Sequence, residues 1–468
     1  MTTTVDRTDT RTDARRPARG QTGRLLLRLH FYAGVLVGPF ILVAALSGAL
    51  YALSPQIEKV VYAHELRVPV SGPDLSLAAQ VDAAQAATGG TEQPVAVRPA
   101  PNPGDTTRVL YAADGESSSR TIFVNPASGE IRGDLLTYGT SGALPLRTWI
   151  STLHRTLHLG DAGRLYSELA ASWLGVVSLA GLGLWAARWR RTRKARGLVV
   201  PEKGATGYRR TLGWHASTGI WVLGGALFLS ATGITWSQYA GANVSALRAG
   251  LSWQAPTVTT ALDGADVGGG GEHAGHHDGM VMDAPDADPA TFDAVLDVAR
   301  GESVDTGLVE IVPPSAEGEA WVVQEIQRSY PTQVDVVAVD GDTLEVTDRV
   351  DFADHPFVAK LARWGIDMHQ GTLFGLTNQI VLTVVALAIA ALVVKGYVMW
   401  WQRRPTRDAG RAVGKAPARG ALRDTPWWGR TVVLGVAVGV GFALPLVGVS
   451  LAAFVVVDSL LGLRARKG

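Results

Sequence analysis

Four long apolar stretches constrain this chain more than any other feature: Leu25–Leu53, Leu165–Ala187, Leu212–Trp236 and Leu373–Trp401. Each supplies the roughly 20 residues that a helix needs to cross a bilayer core. The first is too long for a typical signal-peptide core and reads as a retained anchor. A fifth apolar region, Thr431–Leu463, is interrupted by Pro445. It reads either as one kinked span or as a hairpin, and the trailing Arg464, Arg466 and Lys467 favour the hairpin. Composition agrees with a membrane protein. Hydrophobic residues make up 47% of the chain and charged residues only 18%, against about a quarter charged in soluble domains.

Charge sets the orientation. The tail up to Arg28 carries 7 basic residues, the segment from Arg188 to Arg210 carries 9 against one acid, and that from Arg403 to Arg430 carries 8 against two. Between them lie two long segments of opposite character. Ser54–Arg164 holds 9 basic and 11 acidic residues, and Ser237–Thr372 holds 6 and 23. Short basic loops stay cytoplasmic, so the amino terminus is expected inside a multi-pass cell-membrane protein and both acidic segments outside. Trp189, Trp214, Trp236, Trp400 and Trp401 sit at span ends, as interfacial tryptophans do. The expected organisation is a cytoplasmic tail over 1–23 and spans over 24–53, 164–189, 212–236 and 373–401. Outer domains occupy 54–163 and 237–372, basic cytoplasmic loops 190–211 and 402–426, and an apolar helix or hairpin 427–463. A net charge of +1 argues against a nucleic-acid partner. The absence of cysteine excludes disulfides, thiolate metal sites, iron–sulfur clusters, cysteine nucleophiles and covalently attached haem.

The chain repeats itself. His30 is followed by Gly34 and by Ser47-Gly48, and His215 at the same intervals by Gly219 and Thr232-Gly233. His158 is followed by Gly160 and Trp189, and His369 likewise by Gly371 and Trp400. The pattern span, outer segment, span thus occurs twice in the same orientation, which places equivalent groups around an axis normal to the membrane. Each outer segment reads as a small α+β unit. Leu75–Ala87 and Asp288–Arg300 are helical, and strand-like runs follow with turns at Asn125–Gly129 and Asp340–Asp342.

Orientation sorts the repeated histidines into two couples. His30 and His215 fall near the cytoplasmic face, and His158 and His369 near the outer face. Two neutral imidazoles at one depth on separate helices are what bis-imidazole haem ligation requires, so two b-type haems are expected, one per face. The same residues are compatible with plain interhelical hydrogen bonding. His154 lies one helical turn before His158 and is either the outer ligand itself or a hydrogen-bonding neighbour of it. Gly365 occupies its counterpart position, which favours His158. Arg147 and Arg155 lie close enough in sequence to meet haem propionates or to belong to an interfacial helix. Glu168 near the outer face reads as reaching water, and Asp458 as marking the end of the last helix. A glycine-rich stretch, Gly268–Asp283, carries His273, His276, His277, Met280 and Met282. This donor set suits copper or, with its carboxylates, iron or zinc, and equally reads as a solvated linker.

These motifs resemble the PepSY-associated transmembrane proteins, also described as iron-regulated membrane proteins. The resemblance rests on Leu29–Gly34 with Ser47-Gly48, Leu157–Gly160, Trp214-His215 with Thr232-Gly233, Met368–Gly371, Trp400–Pro405, and the strand–turn run Phe123–Glu130. Lys395 before Gly396 departs from the small residue usual there. The resemblance implies a helical membrane protein with two extracytoplasmic PepSY-like domains in tandem. It also implies a ferric-siderophore reductase among the activities open to it: electrons pass from a cytoplasmic donor through haem to a ferric chelate or siderophore outside. Two other functions fit the residues, a peptide-binding or peptidase-regulating protein without redox activity and a copper- or iron-handling protein using the His/Met loop. No nicotinamide, flavin or nucleotide motif is present.

Overall fold

The computed structural model describes residues 21–467 except 91, 116, 194–198, 263–285, 405–416 and 418–424. The first apolar stretch forms α1 (Gln21–Leu36) and α2 (Gly38–Val61). They are parted by the single residue Val37, two residues before Pro39, whose ring nitrogen cannot donate to the helix ladder. Hydrogen bonds from Val37 N to Ala33 O and from Ile41 N to Val37 O carry the chain across the break. The stretch continues as helix well past residue 53, through α2 into α3 (Ala63–Leu66). The outer segment then supplies α4 (Leu77–Ala87), strands β1 (Pro94–Arg98), β2 (Thr107–Ala112), β3 (Ser118–Val124) and β4 (Ile131–Tyr138), and α5 (Pro145–Thr156). The second span is the unbroken helix α6 (Gly160–Thr192).

The third apolar stretch forms α7 (Gly207–Trp221) and α8 (Leu223–Thr235), bent by 60° at Val222. Val222 and Val37 each lie seven residues beyond their histidine. No proline causes this second bend; Gly224 and Gly225 follow it, and a Cβ on Gly225 would lie 2.8 Å from Val385 Cγ1, so glycine permits the close crossing. After α9 (Tyr239–Gly250) the second outer segment supplies α10 (Pro289–Gly301), β5 (Val309–Val312), β6 (Trp321–Glu325), β7 (Val336–Val339), β8 (Val346–Val350) and α11 (Phe357–Gln370), and α12 (Gly375–Gln402) forms the next span. Three described helices, or four with the bent pair taken as one, are long and apolar enough to cross a membrane. The carboxy-terminal region is two shorter apolar helices, α13 (Trp427–Ala443) and α14 (Pro445–Lys467). Pro445 forces Leu444 out of helical geometry, and the helices approach closely at Gly441 and Gly448. Trp173 Nε1 donates to Ser450 Oγ (2.9 Å), and Arg28 pairs with Asp458 (2.5 Å), tying α14 to the bundle. Asp458 is therefore an internal ion-pair partner.

The outer segments differ from expectation in one respect. They do not stand as two separate units but form one antiparallel sheet of order β4-β3-β2-β1-β5-β6-β7-β8. The seam pairs Val97 with Ile311, and the Arg98–Glu310 ion pair crosses it. Both covering helices pack into one hydrophobic core with Val81, Val97, Tyr111, Phe292, Ile311 and Trp321. Asp293 on α10 accepts from Leu77 N (2.8 Å) and Ala78 N (2.9 Å), so the second half caps the covering helix of the first. Edge-to-edge pairing leaves neither half with an open strand at the seam.

Candidate functional site

His30 on α1 and His215 on α7 meet at the bundle end away from the sheet. Their ring centroids are 6.1 Å apart with planes at 80°. His30 Nδ1 lies 3.0 Å from Val177 O on α6, and His215 Nδ1 lies 3.2 Å from Leu392 O on α12. A ring nitrogen facing a carbonyl must donate, so each imidazole carries its proton on Nδ1 and keeps a lone pair on Nε2. Two imidazoles binding one metal from opposite sides at about 2 Å each would have centroids about 6 Å apart. The couple has that spacing. Space beside it is open: a Cβ on Gly34 would meet nothing within 4 Å, and one on Gly219 only Leu392 at 4.0 Å.

At the sheet end two further imidazoles are held through Nδ1, by hydroxyls in place of carbonyls. His369 on α11 lies 2.5 Å through Nδ1 from Thr232 Oγ1, and His154 on α5 lies 3.0 Å through Nδ1 from Ser47 Oγ. Both hydroxyls already donate to their own helix, Ser47 to Val43 O (2.8 Å) and Thr232 to Phe228 O (2.7 Å), so each accepts from the imidazole. Nδ1 is again the protonated nitrogen and Nε2 is left as acceptor. His369 and His154 lie within electrostatic reach of each other. A Cβ on Gly48 would come 3.0 Å from His154 Cε1, so glycine lets α2 approach this ring without crowding it.

The imidazole within electrostatic reach of His369 is thus that of His154, whereas sequence spacing favoured His158. Helix α5 ends at Thr156 and Leu157 takes the left-handed capping conformation that Gly371 takes after α11. His158 therefore lies on the connecting turn at φ 57°, exposed against Trp149. Aligning the two halves on the glycine two residues after each histidine matches a turn residue to a helical one. Seen from the capping residues, His154 and His369 are near-equivalents. Ser47 and Thr232 recur at one spacing in the sequence, yet nothing there disclosed that they hold imidazoles. Seventeen residues separate His30 from Ser47, about 25 Å of helical rise, so the two couples lie near opposite ends of the bundle.

The other candidates fall elsewhere. Glu168 is 1% exposed and accepts from Tyr239 N (2.9 Å) and Ala240 N (3.0 Å), capping α9 and not reaching water. Arg155 stands over the Tyr138 ring, and Arg147 is buried beside Glu58 (3.6 Å). His273, His276, His277, Met280 and Met282 lie outside the described residues. Among the described residues no group of three or more His, Asp or Glu is placed to hold a metal ion.

The long apolar helices and the antiparallel sheet define a multi-pass helical membrane protein. Residues 27–403 match the PepSY-associated TM region, and the chain belongs to that family. No curated protein matches it.

Proposed function

We propose that this chain carries electrons across the cell membrane through two b-type haems and delivers them to a ferric chelate or siderophore outside. The reading takes the amino terminus and basic loops as cytoplasmic, the sheet as extracytoplasmic, and the span–domain–span order as a tandem duplication. It is supported above all by four imidazoles, two near each end of the bundle, with Nδ1 bound to an oxygen and Nε2 left as a lone pair. His30 with His215 would hold one haem, and His154 with His369 the other. A haem so ligated supplies a one-electron ferric–ferrous couple.

The protein's own work is positional. Val177 O and Leu392 O orient the inner rings and fix their tautomer; Ser47 and Thr232 do so for the outer rings. Apolar packing around Ile41, Trp173, Ala226 and Ile389 lies between the two ends and excludes water. An apolar cavity of about 340 Å³ beside Met368, lined by Gly225, Phe228 and Phe374, adjoins the His369 end. The test is transport of electrons. Sealed right-side-out vesicles holding the full chain and an internal reductant should reduce external ferric chelate. Equal rates in chain-free vesicles, or reduction that survives substitution of all four histidines, would refute the reading.

A further inference from the structure

Where the sheet rests on the bundle, a cleft of about 320 Å³ is lined by Arg98, Arg108, Arg147 and Arg328, with hydroxyls from Thr140 and Thr372 among its walls. We propose that this cleft binds carboxylates, in a ligand that presents at least two of them. The inference stands on the cleft itself and goes beyond the electron-transfer reading.

Three observations carry it. First, the cations outnumber their partners. Arg98 pairs with Glu310 (2.5 Å), Arg147 with Glu58 (3.6 Å), and Asp367 is shared by Arg363 (2.9 Å) and Arg328 (3.9 Å), whereas Arg108 makes no ion pair with a described residue. Five guanidinium groups thus share three carboxylates, a formal excess of two positive charges. Second, Arg98 and Arg108 are direct cross-strand partners on β1 and β2. Like charges placed opposite each other destabilise a sheet, and here both face one cavity. Third, Arg147 is 7% exposed, yet its Nε and Nη2 have no hydrogen-bond partner among the described residues. A buried donor without an acceptor is costly and is accounted for by an acceptor arriving from outside the fold. Arg108 and Arg328 are both pushed down to about 10, by burial first and then by a neighbouring arginine, with Glu58 and Asp105 offsetting this only in part for Arg108 and Asp367 for Arg328.

A planar guanidinium takes a carboxylate through two parallel hydrogen bonds, and two carboxylates match the excess charge. The cleft volume suits a ligand of citrate size. It also borders the outer imidazoles: Arg147 Cζ stands 5.5 Å over the Tyr51 ring, Tyr51 stacks on His154 at 6.5 Å, and Arg328 donates to Gln370 (2.9 Å), next to His369. The carboxylates could therefore arrive on a small polycarboxylate chelate from outside or as the propionates of a haem held by His154 and His369.

The experiment separates these sources. The full-length chain in detergent is titrated with citrate by calorimetry, and haem per chain is measured on the same samples, for wild type, Arg108→Gln, Arg328→Gln and Arg108→Lys. Citrate binding that weakens about tenfold or more in either glutamine variant and by less in Arg108→Lys, which keeps the charge but loses the paired hydrogen bonds, with haem content unchanged, supports an external polycarboxylate. No citrate binding, with haem content falling in the glutamine variants, assigns the cleft to propionates. Citrate binding to a chain without haem supports the cleft while refuting the haem reading. Neither citrate binding nor a change in haem across the folded variants overturns the proposal. Should Arg108→Gln fail to fold, the wild-type, Arg328→Gln and Arg108→Lys arms decide it.

Discussion

Glu168→Leu removes two hydrogen bonds and little volume. The carboxylate is 1% exposed inside α6 and accepts from the first two amides of α9, at 2.9 and 3.0 Å. Each hydrogen bond to a charged group contributes about 1.5–3 kcal/mol, and the abandoned Ala240 N–H stays buried. Local opening of α9 should therefore become about 3–6 kcal/mol easier. At 1.4 kcal/mol per tenfold, the amides of residues 239–250 would exchange about 10²–10⁴ times faster. Glu168→Gln keeps one acceptor and should fall between the wild type and leucine. The assay is hydrogen–deuterium exchange by mass spectrometry on the detergent-solubilised full chain. Exchange in α9 within threefold of wild type would refute the capping role. Equal acceleration throughout α6 would refute it too, since the loss would then be of the whole span.

Other substitutions test the remaining assignments. His154→Ala should abolish ferric-chelate reduction in vesicles, whereas His158→Ala, on its exposed turn, should keep at least half the rate; the reverse order would return His158 to the site. Gly48→Val places side-chain atoms where His154 Cε1 lies 3.0 Å from a Cβ, so haem per chain should fall by one while the His30/His215 end is spared. Arg108→Gln should raise the melting temperature of the ligand-free protein at pH 7. A base whose folded pKa is depressed to about 10 penalises the fold while it is charged; the penalty is full below that pH and fades as pH climbs toward the ordinary arginine value. A lower melting temperature in this variant would contradict the account of uncompensated charge.

The spans were legible because apolar length and basic loops are local, additive signals. The break at Pro445 was legible for the same reason, since proline acts on its own helix. The His30/His215 couple was also in reach, because identical spacing in the two halves maps to identical depth. What escaped depends on contacts between distant segments. Nothing local to Val97 or Ile311 tells that these strands pair and fuse two outer segments into one sheet. That His154 lies on α5 and His158 on the turn after it depended on where α5 ends, and position 157 is leucine, with no glycine to mark a left-handed cap. Glu168 looked solvent-bound because its partners lie seventy residues away on another helix. Arg98, Arg108, Arg147 and Arg328 are ordinary solitary cations in sequence and become a cluster only when the sheet lands on the bundle.

The central claim is that four imidazoles bind two haems in two couples, and the absorption spectrum of the purified full-length chain addresses it most directly. The account predicts a Soret band with two haems per chain, one lost on His30→Ala or His215→Ala and the other on His154→Ala or His369→Ala. A chain without a Soret band, or a band untouched when all four histidines are replaced, would contradict it.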